Sequence, residues 1–195
     1  MRIGVARLTA PGEIECGDQW AVATSDDTVT VGLMDGLGHG EGAAVASSAA
    51  AEAIGGQAMR RPALILGAMQ ASLARTRGAT VAVAQFAPGH GRMRFCGIGN
   101  IAARTYAEPG APVHRLLSRP GIVGVGGSAR AAETASAWSP SNWLLLHTDG
   151  VSDRWSADDW PGLLRRDPAT VAAWVLAQQG RGRDDACVVA VAGGG

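Results

Sequence analysis

Short apolar runs, separated by Gly, Pro, Asn and Asp, divide much of the chain into predicted β-strands. The turn cluster Ser25-Asp26-Asp27 splits one long run into a hairpin. Residues 108–136 are rich in Gly and Pro and are expected to form irregular surface or a flap, with an edge strand around 114–117. The predicted strands cover residues 2–9, 19–35, 80–86, 92–98, 101–106, 144–147 and 187–192.

Helical composition occurs in two pairs of segments. Ala and Ser dominate the first segment, which Gly55-Gly56 ends, and Pro62 opens the second. The predicted helices cover residues 41–54, 62–76, 158–166 and 169–179. The order of the predicted elements is strands, a helix pair, more strands, a second helix pair and a last strand. This order predicts an α+β fold, a layered α-β-β-α sandwich of two antiparallel sheets flanked by helix pairs. We expect a single domain over residues 1–195.

The composition excludes several function classes. With 47% hydrophobic and 17% charged residues, the chain is globular rather than disordered. All 17 basic residues are Arg, and without Lys the chain cannot carry a P-loop lysine, a Schiff base, pyridoxal phosphate or the kinase strand lysine. A net charge of zero provides no general attraction for nucleic acid or an anionic membrane, so we expect neither as a partner.

Cysteine usage and hydropathy predict a soluble cytoplasmic protein. Cys16, Cys96 and Cys187 are far apart and form no CxxC pair, which favours buried thiols over disulfides or a zinc site. The N-terminus has no signal-peptide apolar segment, and no apolar run reaches the ~20 residues of a spanning helix.

Acidic residues stand at the ends of three predicted strands that are far apart in the sequence. Asp35 follows the first, Asp149 follows a second, and Asp184-Asp185 precedes the last. A carboxylate at the end of a buried strand is costly unless a positive charge meets it, so the three sites predict one divalent-cation centre. Oxygen ligands suit Mg²⁺ and Mn²⁺, and Gly36 would let its own carbonyl approach a metal. Two such ions about 3.5–4 Å apart can hold a phosphoryl group and activate a water.

Four motifs in order resemble a known family. They are Gly17-Asp18, Asp35-Gly36-Leu37-Gly38-His39-Gly40, Thr148-Asp149-Gly150-Val151-Ser152-Asp153 and Asp184-Asp185-Ala186-Cys187-Val188-Val189. Together they are similar to the PPM (PP2C-type) metal-dependent serine/threonine phosphatases, and more narrowly to the bacterial sporulation stage II branch with its stressosome phosphatases. The resemblance spans roughly residues 15–191.

The resemblance implies a ligand set. Asp35, with the Gly36 carbonyl, would bridge two Mn²⁺ or Mg²⁺ ions, and the family pattern allows a third. Asp149 and Asp184 would complete one ion. Asp18 would orient the water bound to metal or support the second ion, so that Asp18 and Asp35 are the catalytic pair. The residues expected around these ligands are Asp153, Asp185 and His39.

The resemblance also implies an activity. It is the removal of phosphate from serine or threonine by a metal-activated water, on a phosphorylated STAS-domain regulator of a stress or sigma-factor partner-switching circuit. Many eukaryotic members of the family have a histidine, proposed as general acid, where this chain has Leu37, so water is the expected proton source for the leaving group. The phosphate-gripping arginine of eukaryotic members has no match near the N-terminus. Two alternatives are a catalytically silent phosphatase-like binding module and a phosphoesterase that acts on small molecules.

Some of these residues also have ordinary structural interpretations. Asp18 and Asp153 could cap turns, and His39 could simply open a helix. The spacing Gly36-x-Gly38-x-Gly40 does not fit the dinucleotide fingerprint GxGxxG. No GxSxG nucleophile elbow occurs, which excludes the commonest hydrolase triad pattern.

Overall fold

Two five-stranded antiparallel sheets form the centre of the molecule in a computed structural model that describes residues 1–107, 112–126 and 131–194. The first sheet has the strand order β1 (Arg2–Leu8), β10 (Ala186–Ala192), β9 (Trp143–His147), β6 (Ala102–Tyr106) and β7 (His114–Arg115). The second sheet has the order β2 (Asp18–Ser25), β3 (Thr28–Gly36), β4 (Ala79–Ala87), β5 (Arg92–Ile98) and β8 (Glu133–Ala137).

Helices cover the outer face of each sheet. The helices α1 (Glu41–Gly55) and α2 (Pro62–Ser72) pack on the second sheet, where Ile54 and Ile65 are buried against Val81 and Val83. The helix α3 (Pro168–Gln179) packs on the first sheet, where Val171 is buried. The predicted α+β class with two antiparallel sheets between helical layers is confirmed.

The main core lies between the two sheets. Strand β3 shows how alternation builds it, because Leu33 faces the other sheet while its neighbour Met34 faces α1 and α2. Both side chains are fully buried, which explains why β3 reads as a continuous apolar run. The inner faces bury a common set of large side chains, namely Leu33, Phe86, Phe95, Leu144, Leu146, Val189 and Val191.

Several boundaries differ from the sequence expectations. The second helix ends at Ser72 rather than near residue 76, where turns replace it. The predicted helix over 158–166 is wrong. Two short 3₁₀ turns, Ala157–Asp159 and Leu163–Arg165, take its place, because Pro161-Gly162 lies between them and Gly162 has a φ of 85°. Within the described part of the chain, one helix therefore covers the first sheet, rather than the predicted pair.

The Gly- and Pro-rich stretch contains more order than predicted. Strand β8 extends the second sheet by pairing with β5, and the edge strand expected over 114–117 is limited to the two residues of β7. Residues 108–111 and 127–130 of this stretch lie outside the described part. The three cysteines are buried free thiols, as expected. In the described ranges, no helix combines the length and apolarity that crossing a bilayer requires.

Candidate metal centre

The strand register brings the predicted acids to one end of the two sheets. Asp18 begins β2 and lies directly opposite Asp35 of β3 in the antiparallel ladder. In the other sheet His147 of β9 lies opposite Val188 of β10, so Asp149, just after β9, and Asp184, just before β10, leave the sheet at the same end. Acids from distant parts of the sequence therefore converge because both strand pairs are antiparallel.

The carboxyl groups of Asp18 and Asp35 lie where little water reaches them. Asp18 is 1% exposed, and its Oδ2 accepts a hydrogen bond of 2.6 Å from the Thr148 hydroxyl. Burial raises the pKa of Asp18 to about 8, and the neighbouring Asp35 carboxylate adds to the rise. Burial also raises the pKa of Asp35 to about 7, with further repulsion from Asp149 and then Asp184. The strand pairing sets Asp18 opposite Asp35, and the repulsion from Asp149 and Asp184 agrees with their position at the same end of the sheets.

The metal-free protein is expected to lose stability through these two groups as the pH rises. Their pKa values in the folded chain lie above the ordinary value of 3.8, so the folded state holds protons that the unfolded state releases. The contribution of these two carboxyl groups to the free energy of unfolding is therefore most favourable below about pH 4 and is lost as the pH rises to about 8. Urea unfolding in EDTA at pH 5 and pH 8.5 should show a larger fall in the free energy of unfolding for the wild type than for Asp35→Asn. An equal fall in the two proteins would contradict the clustering of these acids.

Asp149 and Asp184 complete the group from more exposed positions. The side-chain amide of Asn100, in the turn between β5 and β6, donates a 2.8 Å hydrogen bond to Asp149 Oδ2. Asp184 accepts a hydrogen bond from the Asp185 backbone amide, which helps to fix its side chain beside the strand. Sequence reasoning missed Asn100, because Gly99-Asn100 is indistinguishable from an ordinary turn pair.

The residues present fit a hard divalent cation by their chemistry. In the ranges 1–107, 112–126 and 131–194, none of the four carboxylates has an arginine or histidine ion-pair partner. Clustered carboxylates without a cation are unfavourable, and oxygen ligands are those that Mg²⁺ and Mn²⁺ prefer. Among the same residues, no three His, Cys, Asp or Glu side chains already stand in a complete metal-binding arrangement. As they stand, these side chains would have to move to surround an ion.

Asp185, one of the residues expected around the ligands, anchors the loop that leads to Asp18. It is buried, and its two oxygens accept hydrogen bonds from the backbone amides of Ala10 (2.8 Å) and Gly17 (2.9 Å). It thereby fixes both ends of the loop between β1 and β2. Since Gly17 directly precedes Asp18 and its carbonyl accepts from the Gly36 amide at 3.0 Å, the loop is tied to the acid cluster.

Replacing Asp185 by Asn should loosen this loop. An amide can accept only one of the two hydrogen bonds and turns its NH₂ towards the other backbone N–H. We expect the Ala10 and Gly17 amides to exchange with solvent about tenfold faster, the effect of a loss of about 1.4 kcal/mol. Hydrogen exchange measured residue by residue tests this, with Asp184→Asn as the matched control. Equal protection of both amides in wild type and Asp185→Asn would refute the anchoring role.

Gly36 is required for packing as well as for the predicted carbonyl ligand. A Cβ at this position would stand 2.0 Å from the Ala43 carbonyl oxygen of α1. A side chain there would push α1 away from the end of β3. The sequence interpretation considered only access to metal, and the contact with α1 depends on a tertiary approach that no local pattern reveals.

The two remaining candidates lie in separate polar contacts. His39 is exposed, and its Nδ1 is 2.5 Å from Glu13 Oε1 in the loop between β1 and β2. Asp153 forms ion pairs with Arg104 and Arg115. These arginines favour the charged form and lower the pKa of Asp153 against the opposing effect of burial. Neither His39 nor Asp153 is among the groups that shift the pKa of Asp18 or Asp35.

A family model described as stage II sporulation protein E (SpoIIE) matches residues 25–192. No curated protein sequence matches the chain significantly. Many solved structures share its fold.

Three of these structures illustrate the likeness. A structure reported as "The bacterial stressosome: a modular system that has been adapted to control secondary messenger signaling" has a TM-score of 0.88 at 24% identity, covering 97% of both chains. RsbX in complex with magnesium has a TM-score of 0.81 at 18% identity, covering 95% of this chain and 92% of the other. The PP2C phosphatase domain of Bacillus subtilis SpoIIE has a TM-score of 0.75 at 15% identity, covering 98% of this chain and 61% of the other.

Proposed function

The chain belongs to the SpoIIE family of PP2C-type serine phosphatase domains, and on that premise we propose that it is an active, metal-dependent protein serine/threonine phosphatase. The observation that carries the proposal is the convergence of Asp18, Asp35, Asp149 and Asp184 without an ion-pair partner among the described residues. A relative that only binds phosphoproteins would have no need to keep so unfavourable a cluster of carboxylates.

Asp35, the Gly36 carbonyl, Asp149 and Asp184 are the groups that we propose to hold two Mn²⁺ or Mg²⁺ ions, with Asp18 beside them. When bound, these ions would neutralise the phosphoryl oxygens and lower the pKa of a water. The attacking water forms the new P–O bond while the bond from phosphorus to the serine or threonine oxygen breaks. The motifs include Ser152 and Cys187, but burial raises the pKa of the Cys187 thiol and no base contacts the Ser152 hydroxyl among the described residues, so no phosphoenzyme is expected.

Asp18 is the residue that we propose to orient the attacking water. The Thr148 hydroxyl occupies its Oδ2, and Oδ1 has no hydrogen-bond partner in the described part of the chain. Thr148 Oγ also accepts from the Cys187 amide at 2.9 Å, so this hydroxyl joins β2 of one sheet to β10 of the other. Oδ1 is then the atom that can accept a proton from the water. Leu37 is exposed at the position of the family's histidine, and solvent would protonate the leaving oxygen.

The proposed substrate is a phosphorylated STAS-domain regulator in a partner-switching stress or sigma-factor pathway. The family's resemblance suggests this class, and the structural likeness to a stressosome protein supports it. The exposed Leu37 and Val45 near the cluster would contact a folded protein rather than a small phosphoester.

Hydrolysis assays test activity and substrate class together. The substrates are p-nitrophenyl phosphate, free phosphoserine and a STAS protein carrying phosphoserine, each with Mn²⁺, with Mg²⁺ and with EDTA. We expect release of phosphate from the protein with Mn²⁺ or Mg²⁺, and none with EDTA.

The other outcomes separate the alternatives. Release from small phosphoesters alone would favour a small-molecule phosphoesterase. No release from any substrate, under conditions where Mn²⁺ binds, would overturn catalysis and favour a silent binding module.

A further inference from the structure

A cavity of about 200 Å³ lies beside the acid cluster. It is bounded by β6, β7 and the segment that follows β9, and Asp149 belongs to both the cavity and the cluster. Sites for drug-sized ligands usually measure ~300–1,000 Å³, so a volume of this size suits a small group such as one side chain or one phosphoryl group. Polar residues make up much of its lining, and the charged ones are Arg104, Arg115, Asp149, Asp153 and Arg181.

Positive charge is in excess in this cavity. Three guanidinium groups line it, and they face two carboxylates. Even with Asp149 counted, which belongs to the proposed metal centre, three positive charges stand against two negative ones. Asp153 already pairs with Arg104 and Arg115, and in the ranges that the structure describes Arg181 has no ion-pair partner. An anion is the group that such an arrangement would attract.

The backbone holds the two exposed arginines beside Asp149. The Arg181 amide donates a 2.8 Å hydrogen bond to the Gly150 carbonyl, and Val151 and Gly180 form an isolated antiparallel bridge. These contacts fix Arg181 next to the turn that carries Asp149. Arg115 lies opposite Arg104 in the pairing of β7 with β6, and its guanidinium contacts Asp153. The fold therefore fixes the backbone of both arginines, and the ion pair with Asp153 also holds the Arg115 guanidinium.

The cavity also contains a buried polar atom that needs a polar neighbour. His147 is 2% exposed, and its Nδ1 is 3.0 Å from the Thr148 carbonyl oxygen. Within the described residues its Nε2 makes no hydrogen bond, although Asp153 Oδ1 is 3.5 Å away. Buried polar atoms almost always have a partner, which favours a polar or hydrated occupant over an apolar side chain.

We propose that this cavity is an oxyanion subsite for the substrate protein, with Arg181 and Arg115 as its binding residues. The inference rests on the proposed phosphatase function. The oxyanion comes either from the phosphoryl group or from an Asp or Glu side chain next to the phosphoserine. Both groups present negatively charged oxygens that accept hydrogen bonds from a guanidinium.

Steady-state kinetics with Mn²⁺ test the subsite. The substrates are p-nitrophenyl phosphate, a phosphoserine peptide with flanking Glu residues and the same peptide with Ala in their place. The variants are Arg181→Gln and Arg115→Gln, with Arg183→Gln as a matched control, because Arg183 is exposed and does not line the cavity. We expect Arg181→Gln to lower kcat/KM at least tenfold, mainly through a higher KM.

The pattern over the substrates identifies the bound group. An equal loss for all three substrates would support binding of the phosphoryl group, and a loss confined to the acidic peptide would support binding of the flanking carboxylate. Unchanged kcat/KM and KM for every substrate in both variants would overturn the subsite.

A binding measurement keeps the two proposals apart. If the wild type turns over none of the substrates, the proposed function fails, and calorimetric titration of the acidic phosphopeptide in Mn²⁺ still tests the subsite. An unchanged Kd for Arg181→Gln would then overturn it, and a Kd raised about tenfold or more would support it.

Discussion

Replacing Asp35 by Asn is expected to lower Mn²⁺-dependent phosphatase turnover by about 1,000-fold while the fold remains intact. The substitution keeps the side-chain volume but removes the charge that we propose to bridge the two ions, and a thousandfold loss corresponds to about 4 kcal/mol of transition-state stabilisation. The metal-free variant should be at least as stable as the wild type. Its neutral amide avoids the cost of burying a charge and the repulsion from neighbouring carboxylates, which together raise the pKa of Asp35 to about 7.

Asp26→Asn is the matched control, since Asp26 is an exposed acid in the turn between β2 and β3. It should keep normal turnover. Thermal unfolding of each protein in EDTA establishes that the fold is retained. Near-normal turnover by Asp35→Asn would contradict the proposed ligand set.

Replacing Arg104 by Gln is expected to destabilise the protein by about 3 kcal/mol. The Arg104 side chain is buried, and it donates 2.7 Å hydrogen bonds to the backbone carbonyls of Asp153 and Trp155. It also pairs with the Asp153 carboxylate, and its guanidinium carbon lies 4.8 Å from the centre of the Trp155 ring. Removing this buried cation leaves the two backbone carbonyls without these donors, at about 1–3 kcal/mol for each unsatisfied buried group, while Arg115 still pairs with the Asp153 carboxylate. In a chain of this size, the melting temperature should fall by about 10 °C.

Arg115→Gln is the comparison that isolates burial. Arg115 pairs with the same Asp153 carboxylate, but its side chain is 60% exposed, against 3% for Arg104. An exposed ion pair contributes about 1 kcal/mol or less, so this variant should unfold close to the wild-type temperature. Calorimetry of the two variants tests the difference. Equal destabilisation by both substitutions would show that burial does not govern the strength of these pairs.

Most of the architecture could be predicted from the sequence, because strand alternation and helix boundaries are local properties. The apolar run that ends at Asp35 predicted both a strand and the acid at its end, and β3 has that form. The composition of residues 158–166 suits a helix, but Pro161-Gly162 interrupts it and two 3₁₀ turns form instead. Strand β8 was missed because its residues, Glu133–Ala137, are mostly exposed at a sheet edge and show no clear alternation.

Residues of the candidate site could be predicted where a sequence motif identifies them. They could not be predicted where their role depends on tertiary contacts. The convergence of Asp18 with Asp35 follows from the hairpin that the sequence predicted. Asp185 as a loop anchor, in contrast, depends on amides that lie 168 and 175 residues away in the chain. The arginines around Asp153 come from β6 and β7, and only strand pairing places them there. Such contacts between distant segments have no signature in a single sequence.

Titration of the protein with Mn²⁺ in a calorimeter, for the wild type and Asp35→Asn side by side, tests whether the converging carboxylates form a divalent-cation centre. We expect saturable binding of two ions per chain by the wild type, with at least one ion lost or bound at least tenfold more weakly in Asp35→Asn. Identical stoichiometry and affinity in the two proteins, or no binding by the wild type, would contradict the proposed centre.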